Sequence, residues 1–311
     1  MNFDRIRTSI DVDRMSRSRV TIVGGAYGLA QDLVRSGLGA VVMIDYDVVD
    51  ESNPARQDFQ QSDIGQHKAK VLTQALHRIN PAVKVDYLLR DFCELSSQEI
   101  DRHLGQSDLL IFATDFFPAQ ARGNLESLRL KKPAVWIGLY REGRAGEIVY
   151  YVPGVTPACY RCVCSSRYHA FAAQARTPAA NQNATHIPST GGTIFDLRLV
   201  DAVAGPIIIG IFTAGADNRF GQLIKQLGNR NLLQVKMDPE YRLGQQDIFG
   251  QHLGPDHFAF NTIALPMDPE EGCPDCGGAR QTHQERPCAT STVNTSRATP
   301  TAGRSRSTAN S

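Results

Sequence analysis

Five apolar runs rich in β-branched residues recur along the first half of the chain, with polar or amphipathic segments between them. This pattern predicts strands over 19–24, 40–45, 83–88, 108–113 and 134–140. The intervening composition predicts helices over 31–36 and 66–78. Strands that alternate with helices form parallel βαβ units, so we expect a Rossmann-like, doubly wound α/β fold with a mostly parallel sheet.

The chain changes character near residue 150. Residues 147–152 are typical of one arm of a hairpin, and the composition of 165–192 predicts a long irregular loop. Helical character returns over 193–228, whereas 279–311 contains almost no apolar residues and is predicted to be a disordered tail. The expected divisions are an α/β half at 1–150, a loop-containing C-terminal part of the same domain at 151–278, and a tail at 279–311.

Charge and hydropathy exclude several classes of partner. The 33 basic and 32 acidic side chains nearly cancel, so no overall field attracts nucleic acid or an anionic membrane. The most apolar stretch, residues 202–216, is shorter than the about 20 residues that cross a bilayer and is predicted to be a buried helix. The first 20 residues mix five arginines with three aspartates, unlike a secretory leader. We therefore expect a cytoplasmic protein.

A glycine-rich turn follows the first predicted strand and reads Gly24-Gly25-Ala26-Tyr27-Gly28. Glycines at such a turn let backbone N–H groups approach a phosphate at a helix N-terminus. Asp45 closes the second strand at about the 20-residue offset where an acid meets a ribose hydroxyl in dinucleotide folds. A packing turn and a turn-capping aspartate would have the same appearance, and both features also suit an NAD-binding protein.

More specific motifs stand in the segments that follow. They are D-Y-D-V-V-D-E-S-N-P-A-R-Q at 45–57, G-Q-H-K-A-K at 65–70, R-I-N-P at 78–81 and A-T-D at 113–115. This ordered set resembles the ThiF/MoeB/HesA branch of ubiquitin-activating enzymes over about half of the chain. The resemblance implies an ATP-dependent adenylyltransferase that activates the C-terminal carboxylate of a ubiquitin-like or sulfur-carrier protein, or of a peptide.

The resemblance also implies roles for individual residues. The glycines at 24, 25 and 28 would form the phosphate loop, and Asp45 would hold the ATP ribose. Residues with polar or cationic side chains would surround the triphosphate, namely Asn53, Arg56, Gln57 and Lys70. Asp115 would bind Mg²⁺, and an N-terminal arginine, Arg5 or else Arg7, would reach the neighbouring subunit of a homodimer. Arg56, Lys70, Asp115 and Arg5 are therefore the predicted catalytic residues.

Four of the seven cysteines form two C-x-x-C pairs, Cys159/Cys162 and Cys273/Cys276, which are separated by 110 residues. Four thiolates suit a tetrahedral zinc ion with no open coordination position, so we predict a structural Zn²⁺ site. The family that the chain resembles carries a zinc at this place. Reversible disulfides are the alternative interpretation, although a reducing cytosol disfavours them.

Two departures from the family pattern leave other functions open. The phosphate loop lacks about three residues of the usual G-x-G-G-x-G version, which favours a non-catalytic scaffold subunit as the alternative. Residues 165–192 also contain no cysteine, and neither Cys93 nor Cys164 stands where a thioester-forming nucleophile is expected. We therefore predict a reaction that stops at the acyl-adenylate. An NAD-dependent oxidoreductase is a third possibility, but it has no use for a triphosphate-binding set.

Overall fold

The computed structural model describes residues 1–175 and 191–277. Eight strands form one sheet in the order β3-β2-β1-β4-β5-β6-β7-β8. The strands are β1 (Arg19–Gly24), β2 (Ala40–Ile44), β3 (Lys84–Leu88), β4 (Leu109–Ala113), β5 (Ala134–Leu139), β6 (Ala145–Tyr151), β7 (Leu232–Lys236) and β8 (Asn261–Leu265). Strands β1 to β5 pair in parallel, and β6 to β8 continue the sheet in antiparallel pairs. The mostly parallel, Rossmann-like α/β prediction is confirmed.

Helices connect and cover the strands. In chain order they are α1 (Val12–Arg17), α2 (Tyr27–Arg35), α3 (Lys68–Ile79), α4 (Ser97–His103), α5 (Phe117–Leu130), α6 (Tyr160–Val163), α7 (Ser165–Ala175), α8 (Ile194–Phe212), α9 (Leu223–Leu227) and α10 (Ile248–Leu253). None of the helices that the structure describes combines the length and apolar character that a membrane span requires. The apolar stretch predicted to be a buried helix lies largely in α8, which packs on α2, β5 and β6.

Two apolar cores lie on opposite faces of the sheet. Ile22 of β1 belongs to the core that includes residues of α2, α3 and α8, whereas the adjacent Val23 belongs to the other core. Successive strand residues point to opposite faces, so a continuous apolar strand such as β1 supplies both. On the second face Trp136 stacks between Phe112 and Tyr160, at centroid distances of 5.4 and 4.6 Å. These layers fix the strand ends around which the candidate site lies.

The strand order reverses between β1 and β4. Both strands run in parallel, with Gly24 beside Ala113, but their chain neighbours lie on opposite sides of them. At such a reversal the connecting helices leave toward opposite faces, and a crevice opens outside the carboxyl ends of the strands. The residues that follow β1, β2 and β4 meet there.

Two predictions about segments need correction. Helix α2 begins at Tyr27 and not near residue 31, so Tyr27 and Gly28 belong to its first turn and not to a loop. The irregular loop predicted from residue 165 is also wrong at its start, because residues Ser165–Ala175 form α7. Aromatic contacts with Phe117 hold α7, at centroid distances of 4.9 Å from Tyr168 and 5.3 Å from Phe171. The rest of that loop up to residue 190 and the predicted tail lie outside the described residues, and the boundary near residue 150 stays a prediction.

Candidate functional site

The turn after β1 brings backbone very close to β4. Gly24 has a φ of +86°, and a Cβ atom on it would lie 2.7 Å from the carbonyl oxygen of Ala113. Only glycine tolerates this conformation and this approach without strain. The N–H of Gly25 then donates to the same carbonyl at 2.8 Å. The turn is therefore held tightly over the carboxyl end of β4.

The predicted site residues are distributed around this turn. Asp45 follows β2 directly and is buried, while Asp115 lies two positions beyond the end of β4 and is exposed. The short helical turn Asn53–Ala55 carries the buried Asn53, whose side-chain oxygen accepts from the N–H of Asp50 at 3.1 Å. Arg56 ends that turn, and Lys70 stands exposed in the first turn of α3. Asp45 and Asp115 thus lie beyond the carboxyl ends of the two strands that flank β1, and their grouping with the 53–70 segment in one crevice stays a prediction.

Gln57 is the member of this set that reaches furthest into the glycine turn. Its side-chain nitrogen lies 3.9 Å from the position that a Cβ atom on Gly25 would take. The side-chain oxygen of Gln57 is buried and has no hydrogen-bond partner among the described residues. Because a buried polar atom costs free energy unless it is paired, this oxygen is suited to accept from a donor of a bound molecule.

Arg5 lies in an exposed turn near the N-terminus. Arg7, the alternative, pairs with Asp13 at 3.2 Å. The reach of either arginine into a neighbouring subunit stays a prediction.

Asp45 already has partners within the chain. The hydroxyl of Tyr27 donates to its carboxylate, and the N–H of Asp47 donates to it at 2.8 Å. Tyr27 is 2% exposed, and its ring meets that of Phe59 edge-on at 4.9 Å. Burial raises the pKa of Asp45, and the two hydrogen bonds act in the opposite direction. The sequence analysis missed Tyr27, although a large side chain inside a glycine turn was a signal.

Helix α8 covers the first turn of α2. Arg198 pairs with Asp58 at 2.7 Å and with Asp32 at 3.0 Å, and one of its nitrogens lies 2.7 Å from the Cβ position of Gly28. Asp201 lies one turn further along α8. Burial raises the pKa of Asp201 to about 7. No sequence motif pointed to these α8 residues.

The two C-x-x-C pairs meet beside helices α5 and α6, where all four sulfur atoms lie within 4.8 Å of one another. The separations are 3.7 Å for Cys159–Cys162, 3.9 Å for Cys159–Cys273 and 3.5 Å for Cys162–Cys276. A tetrahedral zinc ion with Zn–S bonds of about 2.3 Å places its sulfurs roughly 3.8 Å apart. The predicted clustering is confirmed, and the cluster fits zinc in both donor type and spacing.

Polar side chains support the cysteine cluster. Asn124 lies 3.7 Å from the sulfur of Cys159, donates to Asp275 at 2.8 Å, and accepts from the N–H of Tyr160 at 3.0 Å. Arg161 pairs with Asp275 at 3.0 Å. Such outer contacts fix the orientation of metal ligands. They join α5, α6 and the 273–276 segment around one point.

The remaining described cysteines lie elsewhere. Cys164 is 5% exposed, and burial raises the pKa of its thiol to about 12, which disfavours the nucleophilic thiolate. Cys93 lies half-buried in the short turn Phe92–Glu94. Cys288 lies outside the described residues. A reaction without a thioester-forming cysteine stays a prediction.

The chain is similar to proteins of known activity over its first part. A family model described as the ThiF family matches residues 1–224. The sulfur carrier protein adenylyltransferase of Thermus thermophilus is 34% identical over 160 residues, which cover 49% of this chain and 57% of that protein. The molybdopterin-synthase adenylyltransferase of Escherichia coli is 31% identical over 157 residues, which cover 49% of this chain and 60% of that one. The chain thus spans just over half the length of these curated relatives.

Solved structures show the same fold. MccB of E. coli, crystallised with ATP, superposes with a TM-score of 0.60 at 18% identity, covering 86% of this chain and 68% of that chain. The crystal structure of PaaA gives a TM-score of 0.58 at 16% identity, covering 86% of this chain and 84% of that chain. At such low identity the likeness concerns the fold alone.

Proposed function

The chain belongs to the ThiF family, and from that premise we propose that it adenylates a C-terminal carboxylate with ATP. The carboxylate would belong to a ubiquitin-like or sulfur-carrier protein, or to a peptide. The product would be an acyl-adenylate, with release of pyrophosphate. Adenylyltransferases of sulfur-carrier and molybdopterin-synthase type among the relatives support this class of reaction.

One observation carries the proposal. Asp45 and Asp115 follow β2 and β4, whose carboxyl ends flank that of β1 at the reversal of strand order, and Arg56 ends the short turn Asn53–Ala55. We take these as residues that would surround the nucleotide. A dehydrogenase has no need of an arginine, a lysine and a second carboxylate at this point. Gln57 adds a buried acceptor that lacks a partner among the described residues. This set favours a nucleotide triphosphate over NAD.

The chemistry assigns each group a task. An oxygen of the substrate carboxylate attacks the α-phosphorus of ATP, and the bond from that phosphorus to the bridging oxygen breaks, so that pyrophosphate leaves. Negative charge gathers on the phosphate oxygens, and Arg56 and Lys70 would neutralise it. Asp115 would hold Mg²⁺, which supplies further neutralisation of the leaving group. Asp45 would accept a hydrogen bond from a ribose hydroxyl and so orient the nucleotide.

The reaction requires no nucleophilic side chain of the enzyme. The buried Cys164, with its raised thiol pKa, supports a reaction that ends at the acyl-adenylate and passes it to a separate acceptor. The cysteine cluster would hold a structural Zn²⁺, because four sulfur ligands leave no position for substrate. A homodimer, with Arg5 reaching the neighbouring site, and a cytoplasmic location complete the proposal.

A non-catalytic scaffold subunit is the second candidate. It is favoured by the glycine turn, which is so short that α2 begins at Tyr27, and by the contact of Tyr27 with Asp45. Such a subunit would keep the fold and the cysteine cluster but would not turn over ATP.

Calorimetry with MgATP, followed by ATP–pyrophosphate exchange with candidate carrier proteins, separates the two candidates. Arg56→Ala and Asp115→Ala should lose binding or exchange. Asp217→Ala changes an exposed carboxylate that is not among the predicted site residues and should behave as wild type. NAD should not compete. A folded wild-type protein that catalyses no ATP–pyrophosphate exchange would favour the scaffold function. Preferential binding of NAD would overturn the proposed reaction.

A further inference from the structure

One side chain of the chain itself lies where the ribose of a nucleotide would make its polar contact. We infer that Tyr27 is a gate over the proposed nucleotide site, so that ATP binds only after the Tyr27 hydroxyl leaves Asp45. The inference rests on the proposed function, since it concerns regulation of the same site.

The gate is the Tyr27–Asp45 contact. The hydroxyl of Tyr27 takes the carboxylate that the ribose would use, and the pair is buried, at 2% exposure for Tyr27 and 8% for Asp45. Phe59 packs edge-on against the Tyr27 ring and holds it in this orientation. A ribose hydroxyl and the phenol would compete for one carboxylate, so the closed contact lowers the apparent affinity for nucleotide.

Calorimetric titration of MgATP into full-length wild type and Tyr27→Phe tests the gate. Tyr27→Phe keeps the ring but removes the hydroxyl, so the affinity should rise about ten- to hundredfold, the range for one hydrogen bond to a charged group. Tyr87→Phe makes the same change at an exposed tyrosine and should leave the affinity unchanged.

A thermal double-mutant cycle between Tyr27→Phe and Asp45→Asn, without nucleotide, measures the contact independently of ATP. The gate requires that the two substitutions are coupled in this cycle and that Tyr27→Phe binds ATP more tightly than wild type. Additive effects in the cycle would overturn the gate. Weaker ATP binding by Tyr27→Phe would do so too, because Tyr27 would then be a contact of the nucleotide.

The outcomes separate the gate from the proposed reaction. Equal, tight MgATP binding by wild type and Tyr27→Phe overturns the gate and leaves the adenylation proposal intact. Tighter binding by Tyr27→Phe without any pyrophosphate exchange, across all carrier candidates, supports the gate and counts against adenylation. Failure of every variant to bind nucleotide overturns both.

Discussion

Replacing Cys273 with serine removes one of the four sulfur atoms that join the 273–276 segment to helix α6. Structural zinc sites in small domains contribute about 10–16 kcal/mol of binding free energy at neutral pH, so one ligand in four corresponds to ~3–4 kcal/mol. For a domain of this size each kcal/mol lowers Tm by about 2–4 °C. We therefore expect Cys273→Ser to lower Tm by roughly 10 °C and to reduce the zinc content well below one ion per chain.

Zinc is measured by mass spectrometry on protein purified without chelator, and unfolding by circular dichroism. Cys93→Ser is the matched control, since its sulfur lies outside the cluster. It should keep full zinc content. Chelation of wild type should reproduce the loss of stability seen in Cys273→Ser. Wild-type protein without zinc, or a Cys273→Ser variant with unchanged zinc and Tm, would refute the structural zinc site.

Three further substitutions have defined outcomes. Asp115→Ala should leave Tm within about 1 °C of wild type, because the side chain is exposed, but should abolish Mg-dependent pyrophosphate exchange; persistent exchange would exclude it as a magnesium ligand. Burial raises the pKa of Asp201 in the folded protein to about 7, above its value in the unfolded chain. The free energy of unfolding of the wild type should therefore fall by up to about 4 kcal/mol as the pH rises from 4 to 7. Urea titrations across that range should show a smaller change for Asp201→Asn. Glu147→Ala removes the buried carboxylate that pairs with the half-buried Arg167 and should lower the free energy of unfolding by about 3 kcal/mol, the low end for a buried pair because Arg167 is partly exposed. The exposed Glu240→Ala should cost less than about 0.5 kcal/mol, and equal effects would show that the Glu147 carboxylate is not buried in solution.

The parallel half of the fold was predictable because its signals are local. Strand β1 was predicted at its observed bounds, Arg19–Gly24, since a fully buried strand reads as a continuous apolar run that ends in glycine. Helix α7 was not predictable in this way. Its residues show little helical periodicity, and the helix is stabilised by contacts with residues distant in sequence, Phe117 and Glu147. Tertiary packing of this kind outweighs weak local propensity.

The residues of the candidate site also differ in whether local sequence signals could predict them. The two C-x-x-C pairs carry a metal signal in their spacing alone, and the structure brings their sulfurs together across 110 intervening residues. Asp45 and Asp115 were predictable as strand-end residues. Arg198 and Asp201 were not, because α8 reads as a nearly uniform apolar helix whose orientation over α2 depends on the folded core. Residues that act through the packing of a distant helix leave no motif.

The shortened glycine turn connects these observations. Helix α2 begins soon after β1, and its first residue is Tyr27. The Tyr27 hydroxyl therefore reaches Asp45, the residue that follows the end of the neighbouring strand β2. In a longer turn, backbone N–H groups would fill this space and face the phosphates. Here a phenol fills it and bonds the carboxylate. The same shortening therefore removes donors from the phosphate side and adds a competitor on the ribose side. Tyr27→Phe removes only the competitor, so it should raise MgATP affinity without restoring the phosphate contacts of a longer turn.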